Sequence, residues 1–413
     1  MRILLFTDFA PTKDNYRGPS ALCFHLMKEF QKEHEVEVIT TNANKVPEKM
    51  LLENESALLG RYIVCPRTKW KKVLISRKTG RLFTPFFPKD MLYLSRYKLE
   101  RHTLKHIEAY KPDVIFIYPS YLTEVCRQLK GYPLYVIGPD CSSINNMRAL
   151  KDPALYLNNN DYNKECINLK KHIAMEKRLC SYAKKVFLVG REDTYLFNVI
   201  TRSRKAIFLP HPHYVLREQA KILNSEKLKI VITGGYDFAT KTDIDAMVEA
   251  FKNDKNLRGI ISVTFLGKNW GEITDKLKDC IEVHEKKWVE NYQKELLQYD
   301  IQLFPISRGA GTKGKVLDAL GTGLLGIGSY YAFENIAVKP GKDCLIYKNA
   351  IEIPRLLLHV FSNRSKYQVM AQSGMNAIRT WHRPDLCAQI LLHEVIGEKV
   401  EYDESKYYSE MKI

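Results

Sequence analysis

Residues 2–6 read RILLF and residues 35–40 read EVEVIT; between them, across about 19–32, Leu22, Leu26 and Phe30 fall four apart. The short apolar runs predict buried strands, and the four-residue spacing predicts a helix with one apolar face. The pattern recurs in DVIFIY (113–118), LYVIG (134–138) and KVFLVG (185–190), with stretches of helical period between them. Strand–helix alternation of this kind predicts a parallel sheet covered on both faces.

The pattern then restarts. AIFLPHPHYV (206–215) leads into a polar, Lys-rich stretch, after which LKIVITGGYD (228–237) reads as a new first strand ending in glycines. ISVTFLG (261–267), CIEV (280–283), DIQLFPIS (300–307) and LLGIGS (324–329) continue the alternation, and helical patterns at 351–361, 366–380 and 385–396 close the chain. A boundary near 210–226 and two doubly wound α/β domains in tandem follow. The acidic, Tyr-rich tail EYDESKYYSEMKI is expected to be loosely held.

Residues 45–105 interrupt this rhythm, being too long for a βα loop and showing no clear buried strand beyond RYIVCP. Charge concentrates in the same half. Residues 1–212 carry 36 Lys and Arg against 21 Asp and Glu, whereas residues 213–413 carry 28 against 26. Within 61–105 there are 13 cations and two acids, interleaved with Trp70, Phe83, Phe86 and Phe87. Two readings stand for this segment: a solvated insertion whose aromatics pack back onto the sheet, or a surface for an anionic membrane or a lipid-linked pyrophosphate. Nucleic acid falls behind both, because no recognised nucleic-acid motif accompanies the cations.

With 413 residues, 45% of them hydrophobic, the chain is long enough for two cores. The apolar run ahead of Asp8 is too short for a signal-peptide core, and no stretch approaches a membrane span. The nine cysteines are scattered, odd in number and without a C-x-x-C pair, which suits reduced thiols in a cytoplasm. The expectation is a cytoplasmic protein, with the basic half allowing a peripheral position on the inner face of the plasma membrane.

Candidate chemistry centres on GAGTKGKV (309–316). Gly309, Gly314 and Lys315 suit a phosphate-binding P-loop, but Val316 occupies the place of the magnesium-binding hydroxyl. No later strand ends in a convincing metal-binding Asp, so a true P-loop is set aside. The physics of an anion cradle survives: glycines admit backbone N–H groups, a helix follows, and Lys313 and Lys315 add charge. Asp318, one turn into that helix, is placed to accept from a sugar hydroxyl. TGGYDFATKT (233–242) supplies a second cradle, with Gly234 and Gly235 at a strand end and Lys241 at the next helix. Ligands bind outside the carboxyl ends of open parallel sheets, so both loops are expected at one edge, their cations converging on a diphosphate. YRGPSA (16–21) is the matching loop of the first domain.

On these residues the sequence resembles the retaining glycosyltransferases of the GT-B fold, particularly glycosyltransferase family 4. The resemblance implies two Rossmann-like domains facing across a cleft: an acceptor-side domain at 1–212, joined by a C-terminal helix within 385–413, and a nucleotide-sugar domain at 213–384. It places Lys241 and Lys315 on the donor diphosphate and Asp318 on the ribose, and these three are the catalytic candidates. Gly18, Gly234, Gly235, Gly311, Thr312, Lys313 and Gly314 are the donor-binding candidates, with Trp288 as a wall for the base. Glu176 and Trp381 are smaller echoes of the family.

Three departures stand out. Gly235 occupies the place of an expected Arg, and Ala310 that of the first acid of the family's Glu-x7-Glu signature. YPSY (118–121) follows the strand after which many members carry a His. Ser120 and Asp140 are therefore the acceptor-side candidates, Asp140 being equally readable as a helix N-cap.

The implied reaction moves a sugar from a nucleotide-diphosphate sugar to a hydroxyl of a glycan or lipid-linked acceptor, in envelope, capsule or lipopolysaccharide assembly. Lys241, Lys315 and a helix N-terminus would stabilise the leaving phosphate, with no metal and no other cofactor expected. The HPH of residues 211–213 lacks a nearby third ligand and reads as hinge packing rather than a zinc site. The rival is a catalytically inactive GT-B-like binding module.

Overall fold

The computed structural model describes residues 1–13, 20–57, 61–65, 98–151, 156, 159–213, 219–397, 400 and 408. The chain divides into two compact units, Met1–Pro212 with Pro384–Glu401, and His213–Arg383.

In the first unit the strands are β1 (Arg2–Thr7), β2 (Glu35–Thr40), β3 (Arg61–Val64), β4 (Val114–Tyr118), β5 (Leu134–Gly138), β6 (Lys185–Leu188) and β7 (Ala206–Phe208). They form one sheet in the order β3-β2-β1-β4-β5-β6-β7, every pairing parallel. Helices cover both faces, so the strands read as near-continuous apolar runs; all five residues of β4 are buried. The helix Pro384–Ile396 returns to this unit and packs on the helix Ala21–Phe30. Much of the remainder of the expected 385–413 return, 401–407 and 409–413, lies outside the described residues.

Strand β2 departs from simple alternation. Glu37 is buried rather than solvated, and its carboxylate accepts from His106 Nε2 on the helix Arg101–Tyr110. A buried carboxylate needs such a partner. The segment 45–105 contains a helix, Glu48–Ala57, and the strand β3; its basic stretch 66–97 lies outside the described residues.

In the second unit the strands are β8 (Leu228–Gly235), β9 (Ile261–Lys268), β10 (Glu282–Lys286), β11 (Ile301–Phe304), β12 (Leu325–Gly328) and β13 (Leu345–Ile346). Their order is β10-β9-β8-β11-β12-β13, again wholly parallel. The strand expected at CIEV (280–283) begins two residues later and runs as the mostly exposed EVHEK, a charged edge. The two-residue β13 is too short to leave a pattern.

Alternate residues of β8 enter opposite cores. Ile230 and Ile232 pack with Ile244, Met247 and Phe251 of the helix Lys241–Asn253. Val231 packs with Val316, Leu317 and Leu320 of the helix Gly314–Gly321. Each such side chain contributes roughly 1.5–3 kcal/mol by leaving water. In both sheets the strand order reverses beside the first strand, between β1 and β4 and between β8 and β11. That switch point opens a crevice at the carboxyl edge.

Candidate functional site

The carboxyl edge of the second unit is built around a close approach of two strands. Gly234 of β8 pairs in register with Gly267 of β9. Gly267 has φ +140°, and a Cβ there would lie 1.7 Å from the Gly234 carbonyl oxygen. The same oxygen accepts from the indole Nε1 of the fully buried Trp270 at 3.1 Å. Gly234 itself has φ +107°, a conformation that glycine alone adopts readily. The strand end is thus fixed from one side and left open on the other.

Lys315 enters on the open side. Its ammonium donates to the Thr233 carbonyl at 3.2 Å, and a Cβ on Gly234 would sit 3.5 Å from it. The residue as a whole keeps some solvent contact, but its ammonium is enclosed. Burial lowers its pKa to about 8; nearby Asp237 pulls it back up and Lys313 pushes it further down. Lys315 is the second residue of the helix Gly314–Gly321. The first closed turn there is Val316 N–H to the Lys313 carbonyl at 2.9 Å. The amides of Gly314 and Lys315 precede it, where helix geometry supplies no internal acceptor and the dipole is positive. An enclosed cation, a helix N-terminus and a glycine strand end therefore meet at one place, an arrangement suited to a phosphate.

The two glycine loops are tied to each other. Ser307 N–H donates to the Ala239 carbonyl at 2.8 Å, and Asp243 N–H to Ser307 Oγ at 3.2 Å. Arg308 closes the junction: Nε and Nη2 both donate to the Phe238 carbonyl, at 3.0 and 2.6 Å, while the guanidinium lies over the Phe238 ring. Asp237 accepts from Ala239 N–H at 2.9 Å and shapes the same turn.

Other candidates have different partners. The Lys241 ammonium is bound to Asp245 Oδ2 at 2.6 Å and Tyr236 OH at 2.8 Å, and those two hydrogen bonds raise its pKa. The convergence expected of Lys241 with Lys315 is replaced by a local i,i+4 pair on one helix. Lys313 is the N-cap of its helix and donates to the Ala310 carbonyl at 3.1 Å, the Gly311 carbonyl at 2.9 Å and Glu334 Oε1 at 2.8 Å. It holds the loop in shape rather than presenting a bare charge.

Gly311, at φ +60°, has its carbonyl also bound by Asn335, and Thr312 Oγ1 donates to the Asn335 carbonyl. Gly314 faces open space, and a Cβ on Gly235 would meet nothing closer than the Lys268 carbonyl at 3.5 Å. Asp318 is partly exposed, with His213 Nε2 3.8 Å away. Tyr292 OH donates to Thr233 Oγ1 at 3.1 Å, and burial, then the charge of Asp318, raises its pKa. Trp288 is 77% exposed and forms no wall within the unit.

In the first unit, Gly18 lies outside the described residues. Ser120 follows the cis Tyr118–Pro119 bond and is buried against Gly138 at the end of β5. Nearby, Asp8 at the end of β1 is buried and accepts from Tyr121 OH at 2.5 Å and from Thr41 Oγ1.

Asp140 is not the N-cap that its position suggested: Cys141 is, without a side-chain cap bond, and Asp140 accepts from Asn145 Nδ2 at 3.1 Å. The cap comes from remote helices. Glu176 accepts from Ser143 N–H at 3.0 Å, Ser143 Oγ at 2.5 Å and Cys141 Sγ at 3.3 Å, while Asp193 accepts from Cys141 N–H at 2.7 Å. Burial raises the Glu176 pKa against these bonds. The family echo at Glu176 is accordingly a structural carboxylate in this chain.

Sequence reasoning missed Arg308, Asp237, Thr233 and Trp270. Arg308 directly precedes the glycine stretch and Asp237 lies inside TGGYDFATKT, so proximity to each motif was the available signal. Nothing local marked Trp270.

No family model and no curated protein matches the sequence. Solved structures do match the fold. Anabaena Alr3699/HepE in complex with UDP aligns over 96% of this chain and 100% of its own, with TM-score 0.64 and 9% identity. Sucrose-phosphate synthase from Thermosynechococcus elongatus aligns over 95% and 98%, with TM-score 0.64 and 12% identity. The lipopolysaccharide outer core galactosyltransferase WaaB aligns over 96% and 99%, with TM-score 0.59 and 9% identity. These structural neighbours are GT-B glycosyltransferases, and the two Rossmann-like domains of that fold are the two units described above.

Proposed function

We propose that this chain is a glycosyltransferase that takes a sugar from a nucleotide-diphosphate sugar and passes it to a hydroxyl of a glycan or lipid-linked acceptor. The observation that carries the reading is the enclosed Lys315 ammonium, at 3.2 Å from the Thr233 carbonyl, where the Gly234 strand end meets the N-terminus of Gly314–Gly321. The same HepE protein has been crystallised with UDP, with UDP and glucose, and with UDP-glucose, which supports a nucleotide-sugar donor here.

In the proposed reaction, Lys315 and the Gly314 and Lys315 amides receive the diphosphate and stabilise the charge that grows on it as the bond from the sugar's anomeric carbon to phosphate oxygen breaks. The acceptor hydroxyl forms the new bond from the face that the nucleotide leaves, and its proton passes to the departing phosphate oxygen, so the anomeric configuration is retained. Asp318 accepts from a ribose hydroxyl. Charge compensation comes from the chain, and we propose that the reaction proceeds without a metal. An acceptor in envelope, capsule or lipopolysaccharide assembly is in keeping with the neighbour WaaB.

The engagement of Lys241 by Asp245 and of Lys313 by Glu334 favours a second reading, a GT-B-like module that binds a nucleotide but does not turn it over. One experiment separates the two. The purified protein is incubated with a panel of nucleotide sugars and EDTA, and released nucleotide is measured. Release that disappears in Lys315→Ala, with water taking the sugar when no other acceptor is supplied, supports turnover at this site. Binding by thermal shift without release under any condition supports the module. Release that EDTA abolishes overturns the metal-free mechanism.

A further inference from the structure

The helix Arg191–Thr201 in the first unit presents an unusual outer face. Its two acids, Glu192 and Asp193, are buried, as is Phe197. Facing outward, four residues apart, are Tyr195 and Val199, 50% and 54% exposed. Arg202, at φ +50°, ends the helix, and exposed Arg204 follows. With Asn198 and Ser203 these side chains line an open pocket of about 610 Å³. Among the described residues neither guanidinium has a carboxylate partner.

The turn beyond the helix is anchored to the end of the long helix Asn159–Tyr182. Cys180 Sγ donates to Ser203 Oγ at 3.3 Å, and Lys205 Nζ donates to the Cys180 and Ala183 carbonyls at 2.8 and 2.9 Å. Lys177, about one turn before Cys180 on that helix, and Lys184, two residues past its end, are exposed. Residues 177–191 and 194–213 contain no Asp or Glu. The segment is therefore rich in cations, one of which, Lys185, is paired with Glu394 at 3.0 Å, and it exposes an aromatic and an aliphatic side chain.

A helix C-terminus favours a nearby cation, which accounts for Arg202. It does not account for two exposed apolar side chains on the same helix face. An aromatic ring beside a branched aliphatic, ringed by cations, is the composition of a contact with the headgroup layer of a bilayer. We propose that the first unit docks on the anionic surface of a lipid membrane through Tyr195, Val199, Arg202 and Arg204. The proposal is independent of the transfer reaction.

The test uses the full chain and sedimentation with phosphatidylglycerol–phosphatidylcholine vesicles, against phosphatidylcholine alone. Arg202→Glu/Arg204→Glu is compared with Lys255→Glu/Lys348→Glu, an equal charge change at exposed positions of the second unit. The first pair is expected to lower partition onto anionic vesicles about tenfold or more, and the second to change it less than about twofold. Tyr195→Ser/Val199→Ser is expected to remove the part of the binding that survives high salt. Arg202→Gln/Arg204→Gln, with the melting temperature of each variant, covers the case in which charge reversal disturbs the turn. Equal losses in the two charge-reversal pairs, or none in the first, would overturn the proposal. So would a loss seen for a single-stranded oligonucleotide but not for vesicles.

Discussion

The ammonium of Lys315 lies 3.2 Å from the carbonyl oxygen of Thr233, so a side chain from the Gly314–Gly321 helix reaches across to the last turn-facing residues of β8. This hydrogen bond adds to the other ties between the two glycine loops, and it does so through a charge that burial has made unusually easy to discharge. Much of the expected behaviour of the protein follows from it.

Replacing Lys315 with Ala should weaken nucleotide-diphosphate binding at least tenfold, because a charge-assisted contact in an enclosed site contributes about 1.5–3 kcal/mol. Stability should change little or rise, since the variant no longer holds a desolvated ammonium. Titration calorimetry with UDP and a thermal melt without ligand check the two halves separately. An unchanged affinity would remove Lys315 from the site.

The pH dependence has a definite sign. The Lys315 pKa is about 8 in the fold, against about 10.4 for an unperturbed lysine. Between those values the unfolded chain holds a proton that the fold has released, so the contribution of this group to stability rises with pH across that window. Ligand binding runs the other way. An anion favours the charged ammonium, so affinity should be full below about pH 8 and fall by up to about tenfold per unit above it. Calorimetry in two buffers of different ionisation enthalpy should show proton uptake on binding near pH 8, and Lys315→Met should abolish it.

Gly267→Ala should be strongly destabilising, since the new methyl would sit 1.7 Å from the Gly234 carbonyl at a φ of +140°. A cost of about 3 kcal/mol or more is expected from clash and backbone strain together. Chemical denaturation measures it. A wild-type midpoint would mean that the β8–β9 pairing is looser than described.

Arg308→Lys keeps a positive charge but loses the planar stack on Phe238 and the double donation to its carbonyl. Stability should drop by about 1–2 kcal/mol. If this junction shapes the donor site, kcat/KM should fall about tenfold, with the free loop showing faster hydrogen exchange.

Gly235→Arg should be accepted by the fold, because the nearest atom to its Cβ would be an ordinary contact at 3.5 Å. Within the proposed function, the introduced guanidinium adds a phosphate contact and should tighten nucleotide binding about tenfold. A melting temperature several degrees lower, with no gain in affinity, would show that this edge does not face the diphosphate.

The two Rossmann-like sheets were legible because their strands are covered on both faces, which writes DVIFIY and LKIVIT as unbroken apolar runs. The glycine cradle was legible for a related reason: Gly234 and Gly311 hold backbone angles that few other residues adopt. What escaped the sequence was the pairing of charges at a distance. Glu37 finds His106, Lys313 finds Glu334, and Glu176 finds Ser143 through folds of the chain that no local spacing encodes. The Lys241–Asp245 pair is different, since its i,i+4 spacing was open to inspection.

The Gly234–Gly267 contact also bears on how this protein could be re-engineered. Any side chain at 267 strikes the backbone of the neighbouring strand, and one at 234 must adopt a disfavoured conformation. Substitution at 267 therefore requires the backbone to shift, and at 234 it carries backbone strain. Within the proposed function, a combinatorial library aimed at a new donor should leave these two positions fixed and spend its diversity at Gly235 and Gly314, where the chain offers space.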